Sequence, residues 1–219
     1  MDFLKNLVIF FGAILIYLHV YIHFKISALN EFSQIKDEDD LSKQKIMTTI
    51  YYKLPFVFDG TSIIKPFDIK DIKRDTKNNL KDTKKLKYHQ KTYEKLPLLE
   101  PSVRFFTKNT IYELKKNKKI DIHHNLECRN FYLIHSGKVI IYCIHPKYKN
   151  QINKEFDIEK FTDALQVELY PNSILFVPNY WYVYVKGLEK SVVEKVQYKT
   201  ILNEANFLYD KYLNKYFHV

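Results

Sequence analysis

From Phe131 to Leu202 the chain is cut into short β-rich runs, and that pattern limits its fold more than any other feature. The runs are FYLIHSGKVIIYCIHP (Phe131 to Pro146), QVELY (Gln166 to Tyr170), SILFVP (Ser173 to Pro178), WYVYVKG (Trp181 to Gly187) and EKVQYKTIL (Glu194 to Leu202). β-Branched and aromatic residues suit a pleated, half-buried surface. Many short strands with turns between them predict two packed sheets, a β-sandwich or a jelly roll. Ser136-Gly137 reads as a hairpin turn, and Pro171-Asn172 as a second turn. FDIEKFTDAL (Phe156 to Leu165) reads as a short helix. Farther back, YYKLPFVFDG (Tyr51 to Gly60) reads as a strand entering a turn in which Gly60 allows a positive φ. The expected fold class is mainly β with flanking helices: a double-stranded β-helix preceded by a transmembrane helix.

The amino-terminal expectation comes from Leu7 to Phe24, LVIFFGAILIYLHVYIHF, within a stretch without charged side chains from Asn6 onward. A spanning helix needs roughly 20 apolar residues, and Tyr17, Tyr21 and Phe24 would anchor one interface. A cleaved signal peptide is the alternative, with Ser27 to Asn30 (SALN) as a faint cleavage site. His19 and His23 stand four apart, a spacing that would put them on one helix face; an interfacial position suits them better than a metal or proton path. Lys25, Lys36, Lys43 and Lys45 on the far side lean the carboxyl-terminal domain toward the cytosol.

With 219 residues the chain has room for one domain and some extensions. The expected division is an anchor at 1–25, a polar linker at 26–45, the β-domain at 46–202 and a helix at 203–219. Within the β-domain, 65–95 forms an insertion with eleven Lys or Arg against five Asp or Glu. In the tail, Ala205, Leu208, Tyr209, Tyr212, Leu213 and Tyr216 follow helical spacing. That stripe needs a covering surface, on its own domain or on a second copy in a homodimer.

The formal charge of +10 rests almost wholly on Lys, since Arg74, Arg104 and Arg129 are the only arginines. Such charge suits solubility, or contact with anionic lipid or a polyanion through 65–95. No Arg-rich cluster or nucleic-acid module accompanies it, so nucleic acid is not an expected partner. Cys128 and Cys143 are too few for a disulfide framework and lack C-x-x-C zinc spacing; both read as buried free thiols.

Two stretches together resemble the JmjC and cupin-like oxygenases, above all the asparaginyl hydroxylases that include factor-inhibiting HIF. In HNLECRNFYLIHSGKVIIYCIHP (His124 to Pro146), His124, Asn130, Gly137 and Pro146 fall on that family's frame. In VELYPNSILFVPNYWYVYV (Val167 to Val185), Pro178, Tyr180 and Trp181 match its strand, turn, strand, Pro and aromatic-Trp pattern.

The resemblance implies Fe(II) held by two His and one carboxylate, with open positions for 2-oxoglutarate and oxygen. His124 stands at the first ligand position. Leu126 stands where the carboxylate belongs, Val183 where the second His belongs, and Val139 where a Lys meets 2-oxoglutarate. The implied reading is a catalytically inactive, membrane-anchored relative acting as a binding or structural module. No metal or co-substrate is then expected. The alternatives are an Fe(II)/2-oxoglutarate hydroxylase with an atypical site built on His124 and Glu127, and a basic tethered module for anionic lipid or polyanion. The A/T-rich codon bias behind the Lys, Ile, Asn, Tyr and Phe content would suit a large DNA virus.

Overall fold

The computed structural model describes residues 2–34, 43–61, 83–86, 99–101, 104–153, 156–201 and 203. A helix α1 (Asp2–Phe24) leads into a short strand β1 (Ser33–Gln34), a helix α2 (Lys43–Tyr52) and the strand β2 (Phe56–Asp59). Then come β3 (Thr83–Leu86), β4 (Phe106–Leu114), β5 (Lys119–His124), β6 (Arg129–Ser136) and β7 (Val139–Ile144). Two 3-10 helices, η1 (Pro146–Gln151) and η2 (Ile158–Lys160), precede β8 (Leu165–Leu169), β9 (Ser173–Pro178), β10 (Tyr182–Gly187) and β11 (Ser191–Lys199).

The larger sheet runs β1-β2-β9-β6-β11-β4-β3 and the smaller β5-β10-β7-β8. From β4 to β11 each strand lies in the opposite sheet from the one before it, except β8, which pairs with β7 in the smaller sheet. The two sheets then hold the orders β4-β11-β6-β9 and β5-β10-β7-β8. Eight antiparallel strands in those two orders are a jelly roll. β2 extends the larger sheet beside β9, and β3 extends it beside β4.

This topology corrects two turn readings. Ser136-Gly137 does not close a hairpin: β6 and β7 lie in different sheets, and the turn carries the chain across. Gly137 has φ 73°, and a Cβ there would meet the Lys190 carbonyl oxygen at 2.3 Å, so this position requires glycine. Gly60 does not take a positive φ; a Cβ there would lie 2.6 Å from the Ile174 side chain, so close approach is what it serves. Pro171-Asn172 is a turn, with Asn172 at φ 71° and Ser173 N–H donating to the Tyr170 carbonyl at 3.0 Å. It also passes between sheets. The helix expected over Phe156 to Leu165 is only the 3-10 turn η2, because Asp157 caps Glu159 N–H and the chain then extends into β8.

Among the described residues three apolar groups hold the fold. Between the sheets lie Tyr132, Ile134, Val139, Ile141, Cys143, Leu175, Val177, Trp181, Val183 and Val185. On the outer face of the larger sheet, Ile46 and Ile50 of α2 pack on Phe56, Phe131, Phe176, Val196 and Tyr198. On the outer face of the smaller sheet, η1, η2 and their flanks bring Ile158, Tyr148, Phe156 and Phe161 against Ile144 and Tyr184. Cys128 and Cys143 are free and buried.

Residues 26–34, expected as linker, are tied to the β-core. The His145 Nε2–H donates to the Ser27 carbonyl at 2.7 Å, Asn30 Nδ2 donates to the Asp163 carbonyl at 3.0 Å, and Phe32 packs on the inter-sheet group.

The apolar run at 7–24 lies within α1, as a helix. Phe3, Leu4, Val8, Ile9, Phe10, Phe11, Leu15 and Ile16 are all exposed on it. The membrane-crossing expectation is not met: among the described residues no helix is long and apolar enough to cross a membrane. The side chains of His19 and His23, the insertion 65–95 apart from β3, and the tail helix with its homodimer stripe lie outside the described residues.

Candidate functional site

At the end of the barrel where β5 stops and β10 begins, buried polar side chains replace the apolar filling. The loop after β5 is clamped to the turn before β10: Asn125 N–H donates to the Trp181 carbonyl at 3.0 Å, and Tyr180 N–H donates to the Asn125 carbonyl. Tyr180 sits at φ 71°, a left-handed conformation uncommon for a residue with a side chain. Trp181 is fully buried and meets His145 edge-to-face at 4.9 Å.

The phase of β5 decides which histidine enters the interior. Val185 pairs with Ile120 and Val183 with His123, so two steps along β10 span three along β5. The irregularity is a bulge, and a bulge re-aims the side chains beyond it. Ile120 packs in the inter-sheet group and Ile122 on the outer one. His123 then follows Val183 inward, where its Nε2 accepts from Tyr132 Oη–H at 2.9 Å. Its Nδ1 lies 3.1 Å from the Asp121 carbonyl; a carbonyl only accepts, so Nδ1 carries the proton. Burial, with the nearby Lys195 charge, pushes the His123 pKa down to about 3, and the ring is neutral at ordinary pH. His124 instead pairs with Tyr182 and stacks on its ring at 4.5 Å.

Val183 and Val139 are fully buried in the same interior group. Lys138, beside Val139, is on the surface, paired with Glu168 at 2.6 Å. Leu126 is half-buried; its carbonyl accepts from Asn203 Nδ2 at 3.3 Å. His124 and Val183 therefore lie on opposite sides of their strands, whereas His123 is the cross-strand neighbour of Val183 on the interior side. Glu127 is buried and acts electrostatically on Tyr132 and Lys195.

Sequence reasoning misses three residues of this end of the barrel: Asn125, Tyr132 and Lys195. Lys195 Nζ donates to Asn125 Oδ1 at 2.7 Å and lies 5.4 Å from the Tyr132 ring centroid. Tyr132 Oη also lies 3.2 Å from Asn125 Oδ1. Tyr132 has one proton for two acceptors. Asn125 and Tyr132 are fully buried and Lys195 nearly so. Burial pulls the Lys195 pKa down to about 7; the Glu127 charge raises it and the Lys108 charge lowers it. Beside them Gln197 Nε2 donates to Asn130 Oδ1 at 3.4 Å. A signal for this group was present in the strand alternation, since Val193, Lys195 and Gln197 share a parity on β11. Polar residues at buried strand positions need a partner.

Fe(II) does not fit these donors. It requires converging lone pairs on one face. His123 offers one nitrogen, already met by Tyr132. Val183 opposite offers none, and Asn125 directs its oxygen at Lys195. Among the described residues no group of three or more His, Cys, Asp or Glu is placed to hold a metal. A separate cleft of about 320 Å³ lies on the outer face of the smaller sheet, lined by Asp121, Phe156, Asp157, Glu159 and Tyr184 among others. Its Glu159 already accepts from Tyr184 Oη–H at 2.9 Å and from Lys186 at 2.7 Å.

No protein-family profile matches the chain, and no curated protein does. Among solved structures it is similar to a cupin superfamily protein from Desulfitobacterium hafniense, with TM-score 0.31 and 15% identity over 45% of this chain and 71% of that one. It is also similar to the formate complex of Lactobacillus farciminis oxalate decarboxylase, with TM-score 0.39 and 12% identity over 61% of this chain and 32% of that one. Neither likeness assigns a residue role, a ligand or an activity to this chain.

Proposed function

We propose that this protein is a membrane-attached jelly-roll module of the JmjC and cupin-like kind that binds a partner or ligand and does not carry out Fe(II)/2-oxoglutarate chemistry. The observation that carries the reading is the pairing of Val183 with His123 across β5 and β10. An apolar side chain stands opposite the inward His123. Val139, at the position that would meet 2-oxoglutarate, belongs to the same apolar group. Attachment is supported by α1, on which Phe3, Leu4, Val8, Ile9, Phe10, Phe11, Leu15 and Ile16 are exposed; exposed apolar side chains on a helix need an apolar surrounding. Calorimetric titration of the full chain with Fe(II) and 2-oxoglutarate tests the reading. No saturable heat is expected from either, and micromolar binding of both overturns it.

A further inference from the structure

We propose that the rim around the exit of α1, made by Lys25, Ile26, Leu29, Tyr51 and Tyr52, is a second membrane contact that turns the polar end of the barrel toward the bilayer. It rests on the attachment of α1 to a membrane. Lys25 continues that helix, since its N–H donates to the Tyr21 carbonyl at 2.9 Å. Its Nζ lies 4.5 Å from the centre of the Tyr51 ring, a cation–π contact. The ends of α1 and α2 therefore meet. α2 buries Ile46 and Ile50 against the larger sheet, yet its Tyr51 and Tyr52 remain 47% and 57% exposed. Ile26 and Leu29, just after α1, are 45% and 53% exposed. Such residues scattered singly are ordinary on a protein surface. Here they gather beside a helix whose own apolar side chains are exposed. Tyrosine, with an apolar body and a polar tip, suits the level of the lipid headgroups.

The charge near the rim fits an anionic leaflet. Exposed Lys147, whose N–H donates to the His145 that holds Ser27, joins Lys25 there. Glu31 is the one acidic residue among the described residues 25–34. Lysines beside a membrane are drawn to anionic lipid. Two ties decide which part of the domain lies at this rim. Lys53, next after Tyr52, donates from Nζ to Asn179 Oδ1 at 3.0 Å. His145, holding Ser27, meets Trp181 edge-to-face. Asn179 and Trp181 flank Tyr180, in the turn clamped to Asn125 at the polar end of the barrel. α1 and α2 thus reach the same end. Tyr170, 52% exposed, lies at the other: it precedes β9, whose last residue Pro178 is at the polar end. The rim is small, so it acts once α1 has brought it to the surface, where the tether replaces a separate encounter.

Tryptophan fluorescence tests the contact, because Trp181 is the one Trp of the chain and is fully buried. The full chain carrying Phe11→Trp, Tyr52→Trp or Tyr170→Trp is placed in vesicles of phosphatidylcholine and phosphatidylserine. The vesicles carry a nitroxide quencher on the headgroup or deep in the acyl chain, and wild type supplies the Trp181 background. All three positions are exposed, so the variants are expected to fold. Phe11→Trp is expected to be quenched from the acyl chain. Tyr52→Trp is expected to lose roughly half its added emission to the headgroup quencher, and Tyr170→Trp none. In Leu29→Trp protein, adding Lys25→Ser and Tyr51→Ser is expected to lower headgroup quenching roughly twofold while flotation is kept. Tyr52→Trp quenched no more than Tyr170→Trp, with Phe11→Trp quenched, overturns the rim contact and leaves the attachment of α1 standing. Phe11→Trp unquenched overturns both. Equal quenching at Tyr52 and Tyr170 overturns the fixed orientation, and quenching unchanged by Lys25→Ser and Tyr51→Ser overturns the part given to those residues. Tyr52→Trp emission that shifts with protein concentration, without quenching by lipid, assigns the rim to a second copy of the chain and overturns the lipid contact.

Discussion

The charge state of Lys195 affects this domain, and its burial fixes the direction of the effect. Its folded pKa is about 7 against an ordinary 10.5, with burial as the main cause. Between those values the unfolded chain holds the proton and the folded chain does not. Stability therefore rises with pH from 7 to 10.5, and below 7 the full penalty applies. Met has nearly the same length and no charge. Lys195→Met is expected to stabilise the protein at pH 7 by about 1–3 kcal/mol, with the gain shrinking toward pH 10. Denaturation of both proteins at several pH values checks this. A Lys195→Met protein less stable than wild type at pH 7, or a gap that does not depend on pH, contradicts it. Lys53 is lowered to about 8 by burial and has the same sign in both proteins, so it cancels in the difference.

Elements show what could be read in advance and what could not. β7, β9 and β10 were legible because nearly every residue in them is apolar and a turn residue closes each. β4 was not, because Phe106 to Leu114 (FTKNTIYEL) mixes polar and apolar residues at an edge that β3 covers. β5 was missed for another reason. Its Ile120 and Ile122 suggest one face, yet the bulge puts them on two, and the inward histidine becomes His123. A frame counted along the sequence carries no information about a bulge, so it lands on His124. The segment 26–34 reads as linker because its tie to His145 uses the Ser27 backbone carbonyl, which leaves no mark in residue type, and Phe32 is a single apolar residue in a polar run. Its main tie is His145, whose Nδ1 accepts from Lys147 N–H at 3.1 Å and whose Nε2–H holds Ser27. Replacing His145 with Ala is expected to cost about 1–3 kcal/mol. Hydrogen exchange at Leu29, whose N–H donates to Ser27 Oγ, should speed up more than exchange in β6. Unchanged protection at Leu29 would mean that Phe32 alone holds the segment.

For the molecule as a whole, α1 and the jelly roll answer to different surroundings. The β-core has its own apolar groups between and outside its sheets, and α2 covers the larger one. The chain after α1 is fastened to that core at Ser27, Asn30 and Phe32, while the apolar residues of α1 stay exposed. Core stability should therefore begin at the fastening, not at the helix. Deleting 2–24 removes exposed apolar surface and none of the described packing groups, so Tm of the β-core is expected to stay within about 2 °C of the full chain. Deleting 2–34 also removes Phe32 and the His145 tie, and is expected to lower Tm by about 4–8 °C. Vesicle flotation should be lost in both. An equal fall in Tm for both deletions would show that α1 packs on the core. Retained flotation after deletion of 2–24 would move the membrane contact to another surface, and the exposed helix would then need a protein partner in place of lipid.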